Sequence, residues 1–285
     1  MFRGFCFEVW HNASSVLLNP HGIDARQRCT PPWPVPARLT RFFIYSNLNE
    51  MLFSLQKTLF YFTLCSPVCQ KEHHSYLPLG SPIFRLTTFS ELTTPVTSAL
   101  AIGPGIATEE STAKLVFKLL AEAELPTVID ADGLNILADD PERVKDARVR
   151  PILTPHPGEA SRLLGTSSRR MQEDRISAAR HIAAKTNAVV LLKGARSVIV
   201  DPDGRLAINP TGNPGMATGG TGDVLTGIIG GLLAQGLDPF EAASAGAWIH
   251  GRAGDLGCSR TGCVSLKAGD LIESLPDVFR ELTGS

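Results

Sequence analysis

The sequence has no run of like charge, no long apolar stretch and no paired CxxC spacing, and each gap removes a class of function. A formal net charge of −1 leaves no basic surface of the kind that grips nucleic acid, so nucleic acid is not expected as a partner. The most apolar early stretch, Met51 to Cys65, is interrupted by Gln56 and Lys57 and is short for a bilayer, so no membrane partner is expected. The opening residues lack a basic region followed by a clean apolar core and a small-residue cleavage site, and a cytoplasmic location follows as the expectation. The six cysteines (Cys6, Cys29, Cys65, Cys69, Cys258 and Cys263) lack zinc-ligand spacing, which leaves free thiols in a reducing compartment as the expected state. A dinucleotide-binding GxGxxG and a Walker GxxxxGK[ST] are missing as well.

What is present divides unevenly. Residues 1–90 hold ten of the 13 Phe, all three Tyr and four of the six Cys, but only three of the 26 Gly. That segment shows no sustained periodicity, and Thr30 to Ala37 (TPPWPVPA) is broken by prolines. It is read as an unmatched segment, non-native or disordered, with a folded unit over 91–285. From about residue 98 short apolar runs alternate with helical stretches, the pattern of a mostly parallel sheet covered by helices. Strands are expected at Ala99 to Ile102, Thr127 to Asp130, Pro151 to Thr154 and Ala188 to Leu192. Two more, Ser197 to Asp201 and Arg205 to Asn209, flank the hairpin turn Pro202-Asp203-Gly204. Helices are expected over Thr108 to Glu124, Gly133 to Ala138, 171–186, Asp223 to Gln235 and Phe240 to Leu256, the last two rich in Ala and Gly.

The chemistry concentrates in residues 209 to 223, NPTGNPGMATGGTGD. Gly219, Gly220, Thr221 and Gly222 let the backbone turn its N–H groups toward an anion, and the helix that follows adds its positive end. Asp223 beside such a site would repel an anion, which points to a base that takes a proton from a hydroxyl attacking phosphorus; the alternative is a helix cap. Lys193-Gly194-Ala195-Arg196-Ser197 follows a buried strand, where ligands bind in open α/β sheets, although a surface lysine also fits there. His156 lies between two stiffening prolines at another strand end, and Glu159 three residues on could hold Mg²⁺ directly or through water. Asp130, Asp132 and Asn135 cluster after a strand and could bind Mg²⁺ or hydroxyls, with Asp132 equally suited to capping a helix. Gly103 and Gly105 suit either close ligand approach or an ordinary turn, and His250 suits a buried, hydrogen-bonded histidine.

Taken in order, IGPGI, VIDADGLNIL, LTPHPGEASRLLG, LLKG and NPGMATGGTGDVLTGIIGGLLAQG closely resemble the ADP-dependent NAD(P)H-hydrate dehydratase family, over roughly residues 90–283. The resemblance implies a ribokinase-like three-layer α/β/α sandwich with a mostly parallel central sheet. It implies a hydro-lyase that returns the S-epimer of NADHX or NADPHX to NADH or NADPH with release of AMP and phosphate. ADP or ATP would be the co-substrate and Mg²⁺ the cofactor. Carried over by residue, hydrate binding falls on Gly105, His156 and Asp223, and adenine-nucleotide binding on Lys193, Gly194, Ala195, Arg196, Ser197 and Gly222. It further implies a homotetramer working alongside an NAD(P)H-hydrate epimerase. Two departures stand out: Ala107 occupies a position that is usually glycine, and residues 1–90 lack the family's GS-containing strand and Ala-rich helix. Competing readings are a hydroxymethylpyrimidine- or thiazole-type kinase of the same superfamily and an inactive nucleotide-binding remnant.

Overall fold

The computed structural model describes residues 98–284. The readings of residues 1–90, of Met51 to Cys65 and of the 90/91 boundary lie outside the described residues. Among the described residues six strands form one sheet in chain order: β1 (Leu100–Ile102), β2 (Thr127–Ile129), β3 (Ile152–Leu153), β4 (Val189–Leu192), β5 (Val198–Val200) and β6 (Leu206–Ile208). The first four pair in parallel, and β5 and β6 return antiparallel through the expected hairpin. The sheet is therefore mostly parallel.

Strands β1 to β5 are buried along their whole length because both faces are covered. The period of two along a strand sends alternate residues to opposite cores. Ala101, Val128, Ile152, Val189 and Leu191 meet α6 (Thr221–Ala234), α7 (Pro239–Thr261) and α8 (Ala268–Thr283). Leu100, Ile102, Ile129, Leu153, Val190 and Leu192 point the other way. On that side lie α1 (Glu110–Glu122), α2 (Ala131–Asp139), α3 (Pro157–Leu164), α4 (Ser168–Glu173) and α5 (Arg175–Thr186). This is an α/β/α sandwich.

Three expectations need correction. The single helix over 171–186 is two, because Asp174 leaves helical φ/ψ and its carboxylate accepts from Ser177 N–H, so it ends α4 and caps α5. The last expected helix runs past Leu256 to Thr261, and α8 follows it with Pro276 inside, a residue that hides a helix from a pattern reading. Cys258 and Cys263 form a disulfide at the end of α7, so free thiols do not describe that pair.

The carboxyl ends of β1 to β4 all open on one edge of the sheet. After β1 the chain turns at Gly103 (φ +136°), where a Cβ would sit 1.7 Å from the Asp130 carbonyl oxygen, so only glycine lets these strand ends approach. Ala107 has φ +61°, a left-handed conformation that costs a Cβ-bearing residue roughly 1 to 2 kcal/mol. Its N–H donates to the Asp132 carboxylate at 3.0 Å, which holds the turn in place.

Candidate active site

Three strand ends and one helix start converge on a single charged cluster. Asp130 follows β2 and is 1% exposed. Lys193 follows β4 and places its Nζ 2.6 Å from Asp130 Oδ1 and 3.8 Å from Glu159 Oε2. Thr226, one turn into α6, donates its hydroxyl to Asp130 Oδ2 at 2.8 Å. A carboxylate this buried needs both a counter-charge and hydrogen bonds, and here it has them. Gly222 lies alongside: a Cβ there would be 3.5 Å from both Asp130 Oδ2 and Lys193 Nζ.

The glycine loop meets this cluster. Gly220 (φ +85°) is the N-cap of α6, which puts Asp223 at the third helical position rather than at the cap. Among the described residues, the N–H groups from Thr218 to Asp223 find no acceptor within the protein. That row of free donors at the positive end of a 14-residue helix has the chemistry to hold an anion. Asp223 itself is exposed and makes no side-chain hydrogen bond among the described residues. Its pKa is raised, first by partial desolvation and then by Asp130, with Lys193 opposing.

His156 is the N-cap of α3. Its Nδ1 accepts from the N–H groups of Gly158 (2.9 Å) and Glu159 (3.4 Å), so in the neutral ring the proton sits on Nε2, 3.4 Å from Glu159 Oε1. Glu159 completes the capping box by accepting from His156 N–H at 2.7 Å. Burial, then Lys193 and Arg162, push the imidazole pKa down while Asp130 opposes. Glu159 is 5% exposed, and burial raises its pKa against Lys193 and the His156 amide. Half of the His156 side chain faces solvent. Asp132 does not cap α2, and Asn135 accepts from Arg162 Nε at 3.1 Å, so neither joins the cluster.

Among the described residues no three His, Cys, Asp or Glu converge as metal ligands. Asp130 uses both oxygens internally, and Glu159 uses Oε2 on the His156 amide. With those oxygens engaged, Glu159 Oε1 is the carboxylate oxygen that could face a Mg²⁺ brought in on a nucleotide, and the ion would supply positive charge for phosphate.

Several members of the site leave little trace in the sequence. The VID strand end pointed to Asp130 but not to its pairing with Lys193, and nothing marked Thr226. Arg175 opens α5, and its guanidinium donates to three carbonyls around Lys193 to Ala195. His250, expected to be buried and hydrogen-bonded, donates Nε2–H to the Thr221 carbonyl at 2.8 Å and so ties α7 to the start of α6.

Burial pushes the His250 pKa down to about 4; the Thr221 carbonyl opposes this and Lys193 adds to it. Between pH 4 and the ordinary 6.5 the unfolded chain then binds more protons at this site than the folded one. Its contribution is therefore present above pH 6.5 and lost as pH falls to 4, by about 3 kcal/mol. Urea titrations across that window are expected to show a shallower pH slope for His250→Gln than for the unsubstituted chain. Equal slopes would rule this out.

The sandwich, with an amide-lined helix start facing the carboxyl ends of a parallel sheet, is that of the ribokinase-like superfamily. A family profile described as NAD(P)H-hydrate dehydratase matches residues 72–277, and the chain belongs to that family. It is 53% identical over 183 residues to a bifunctional NAD(P)H-hydrate repair enzyme of Moorella thermoacetica, covering 64% of this chain and 34% of that one. It is 48% identical over 162 residues to the ADP-dependent (S)-NAD(P)H-hydrate dehydratase of Neisseria meningitidis, covering 56% and 55%. A crystal structure of the ADP/ATP-dependent NAD(P)H-hydrate dehydratase of Bacillus subtilis, co-crystallised with ATP and Mg²⁺, is similar with a TM-score of 0.60 and 38% identity. That match covers 65% of this chain and 64% of the other. The chain thus spans about a third of the first relative's length and about half of the second's.

Proposed function

We propose that this chain uses ADP or ATP to dehydrate the S-epimer of NADHX or NADPHX back to the reduced nicotinamide cofactor. The observation that carries the reading is the run of unpartnered N–H groups from Thr218 to Asp223, ending in a carboxylate whose pKa is raised. Amides alone would make an anion site. An acid-base group at its rim makes a site that activates a nucleophile toward the anion.

In this reading the hydrate's hydroxyl gives its proton to an Asp223 oxygen as its own oxygen attacks the terminal phosphorus of the nucleotide. The bond to the leaving nucleotide breaks, giving AMP when ADP is used. The amides of Gly219, Gly220, Thr221 and Gly222 hold the charge that develops on the transferring group. The hydrate then expels inorganic phosphate by elimination, and phosphate leaves far more readily than hydroxide. Lys193 faces phosphate oxygens, Gly105 and the His156 Nε2–H face the hydrate, and Gly194, Ala195, Arg196 and Ser197 face the nucleotide. Mg²⁺, when bound, neutralises phosphate charge.

The activity is assigned to residues 91–285. The same reading carries a homotetramer, a cytoplasmic location and a functional partnership with a hydrate epimerase, in line with the bifunctional name of the Moorella relative. The test is incubation of the purified chain with NADHX, Mg²⁺ and ADP or ATP. Recovery of the reduced-nicotinamide absorbance is expected. Accumulation of a stable phosphorylated product would favour a small-molecule kinase instead, and no change at all would favour the remnant reading.

A further inference from the structure

Two carbonyls of the Lys193 to Ser197 loop, and that of Leu192 just before it, are held by one guanidinium, while the Gly194 carbonyl accepts from Ser197 Oγ at 3.2 Å. Arg175, the first residue of α5, donates Nη1–H to the Ala195 carbonyl at 2.6 Å and Nη2–H to those of Leu192 (3.1 Å) and Lys193 (3.3 Å). Its Nε is buried and has no partner, and no carboxylate lies within ion-pair distance of it among the described residues. The only negative charge that this half-buried cation meets there is that of carbonyl dipoles. An Arg whose role was to hold α5 to the sheet would be expected to find a carboxylate.

The loop backbone has an unusual conformation to match. Gly194 has φ +150°, and a Cβ there would fall 2.8 Å from Arg175 Nη2, so the guanidinium occupies the space that any other residue would need. Arg196 has φ +55°, a left-handed conformation that a non-glycine residue keeps only when its surroundings enforce it. With the Lys193 and Ala195 carbonyls turned toward Arg175, the N–H groups of Gly194, Ala195 and Arg196 find no acceptor in the protein among the described residues. Successive free amides on one side of a short loop form a concave anion or acceptor site.

We propose that Arg175 is a positioning residue for the adenine nucleotide: by holding the carbonyls of Leu192, Lys193 and Ala195, it leaves the amides of Gly194, Ala195 and Arg196 free as ligand donors. Arg175 itself touches no ligand. This rests on the nucleotide reading above, and the effect is expected on the nucleotide rather than on the hydrate, whose residues follow β1 and β3 or open α6, away from the Arg175 carbonyl partners.

The test uses Arg175→Met, which removes the fork, and Arg175→Lys, which keeps the charge with fewer directed donors. ADP affinity is measured by calorimetry without the hydrate, followed by KM for each substrate, kcat and melting temperature. Arg175→Met is expected to raise the ADP Kd and KM at least ten-fold, with kcat and the hydrate KM within about three-fold, and Arg175→Lys to fall between. If Arg175→Met does not fold, the Arg175→Lys values decide by the same split. ADP affinity within two-fold of the unsubstituted chain, or equal losses in both KM values and kcat, would overturn the proposal. An unsubstituted chain that binds no ADP would overturn the nucleotide reading and this inference with it, a result distinct from ADP binding that ignores Arg175.

Discussion

Asp223→Asn is expected to lower dehydration turnover about a thousand-fold, within the 10²- to 10⁴-fold range of a positioned general base, while leaving the fold intact. Asparagine keeps the shape but cannot take the hydroxyl proton. The fold should tolerate the change because Asp223 is exposed and bonds to nothing in the protein among the described residues. Removing its charge gives up an interaction with the α6 dipole of about 0.3 to 1 kcal/mol and relieves repulsion from Asp130. The two changes oppose each other, so the melting temperature should move little. The pH profile gives a second handle. The base works deprotonated and its pKa is raised, so kcat/KM should fall on acidification at a pH above that of an ordinary aspartate. Turnover within a few-fold of the unsubstituted chain would remove Asp223 from the role of base.

Lys193→Met is expected to be the most destabilising single change in the site, by about 3 kcal/mol at neutral pH. Breaking a buried ion pair by removing one partner leaves the other charge uncompensated, at a typical cost of 3 to 5 kcal/mol. The lysine side chain is 20% exposed, which favours the lower end. Asp130 would keep the Thr226 hydroxyl but lose its cation, and Glu159 would lose the charge that opposes its desolvation. Acid should return part of the loss, because the Glu159 carboxyl, already pushed up by burial, can then be neutral. Asp130→Asn on top of Lys193→Met should return more than acid does. Urea unfolding of both variants at pH 7 and pH 5 decides it, and a loss under about 1 kcal/mol at pH 7 would show that the pair contributes little.

What could be read from the sequence was local. Asp223 and the glycines before it sit within five residues of one another, and the hairpin at Pro202-Asp203-Gly204 is marked by its own turn chemistry. The ends of β1 to β4 were visible because each is an apolar run stopped by a polar or glycine residue. What escaped depends on partners far apart in the chain. Asp130 meets Lys193 across 63 residues and Thr226 across 96, and no pattern within a window reports such a meeting. Arg175 was hidden for a related reason: its helix begins only because Asp174 breaks the preceding one, so its place above the Lys193 loop exists only in three dimensions. His156 mixed the two cases. Its prolines singled it out, yet its first task is to cap α3, and that task also fixes which ring nitrogen carries the proton.

Because the six described strands lie in the sheet in the order in which they occur in the chain, each of β2 to β6 docks on the one made just before it. Such a layout pairs each strand with its neighbour in the chain and suits growth by accretion as the chain leaves the ribosome. The charged floor of the site, carried by β2 to β4, can therefore be laid down first. The amide loop and Asp223 arrive only afterwards, with the helix that closes over the second core. A growing chain would hold its buried carboxylates and their lysine before it holds the amide loop and Asp223, so the site would be completed at the end of assembly rather than at the start.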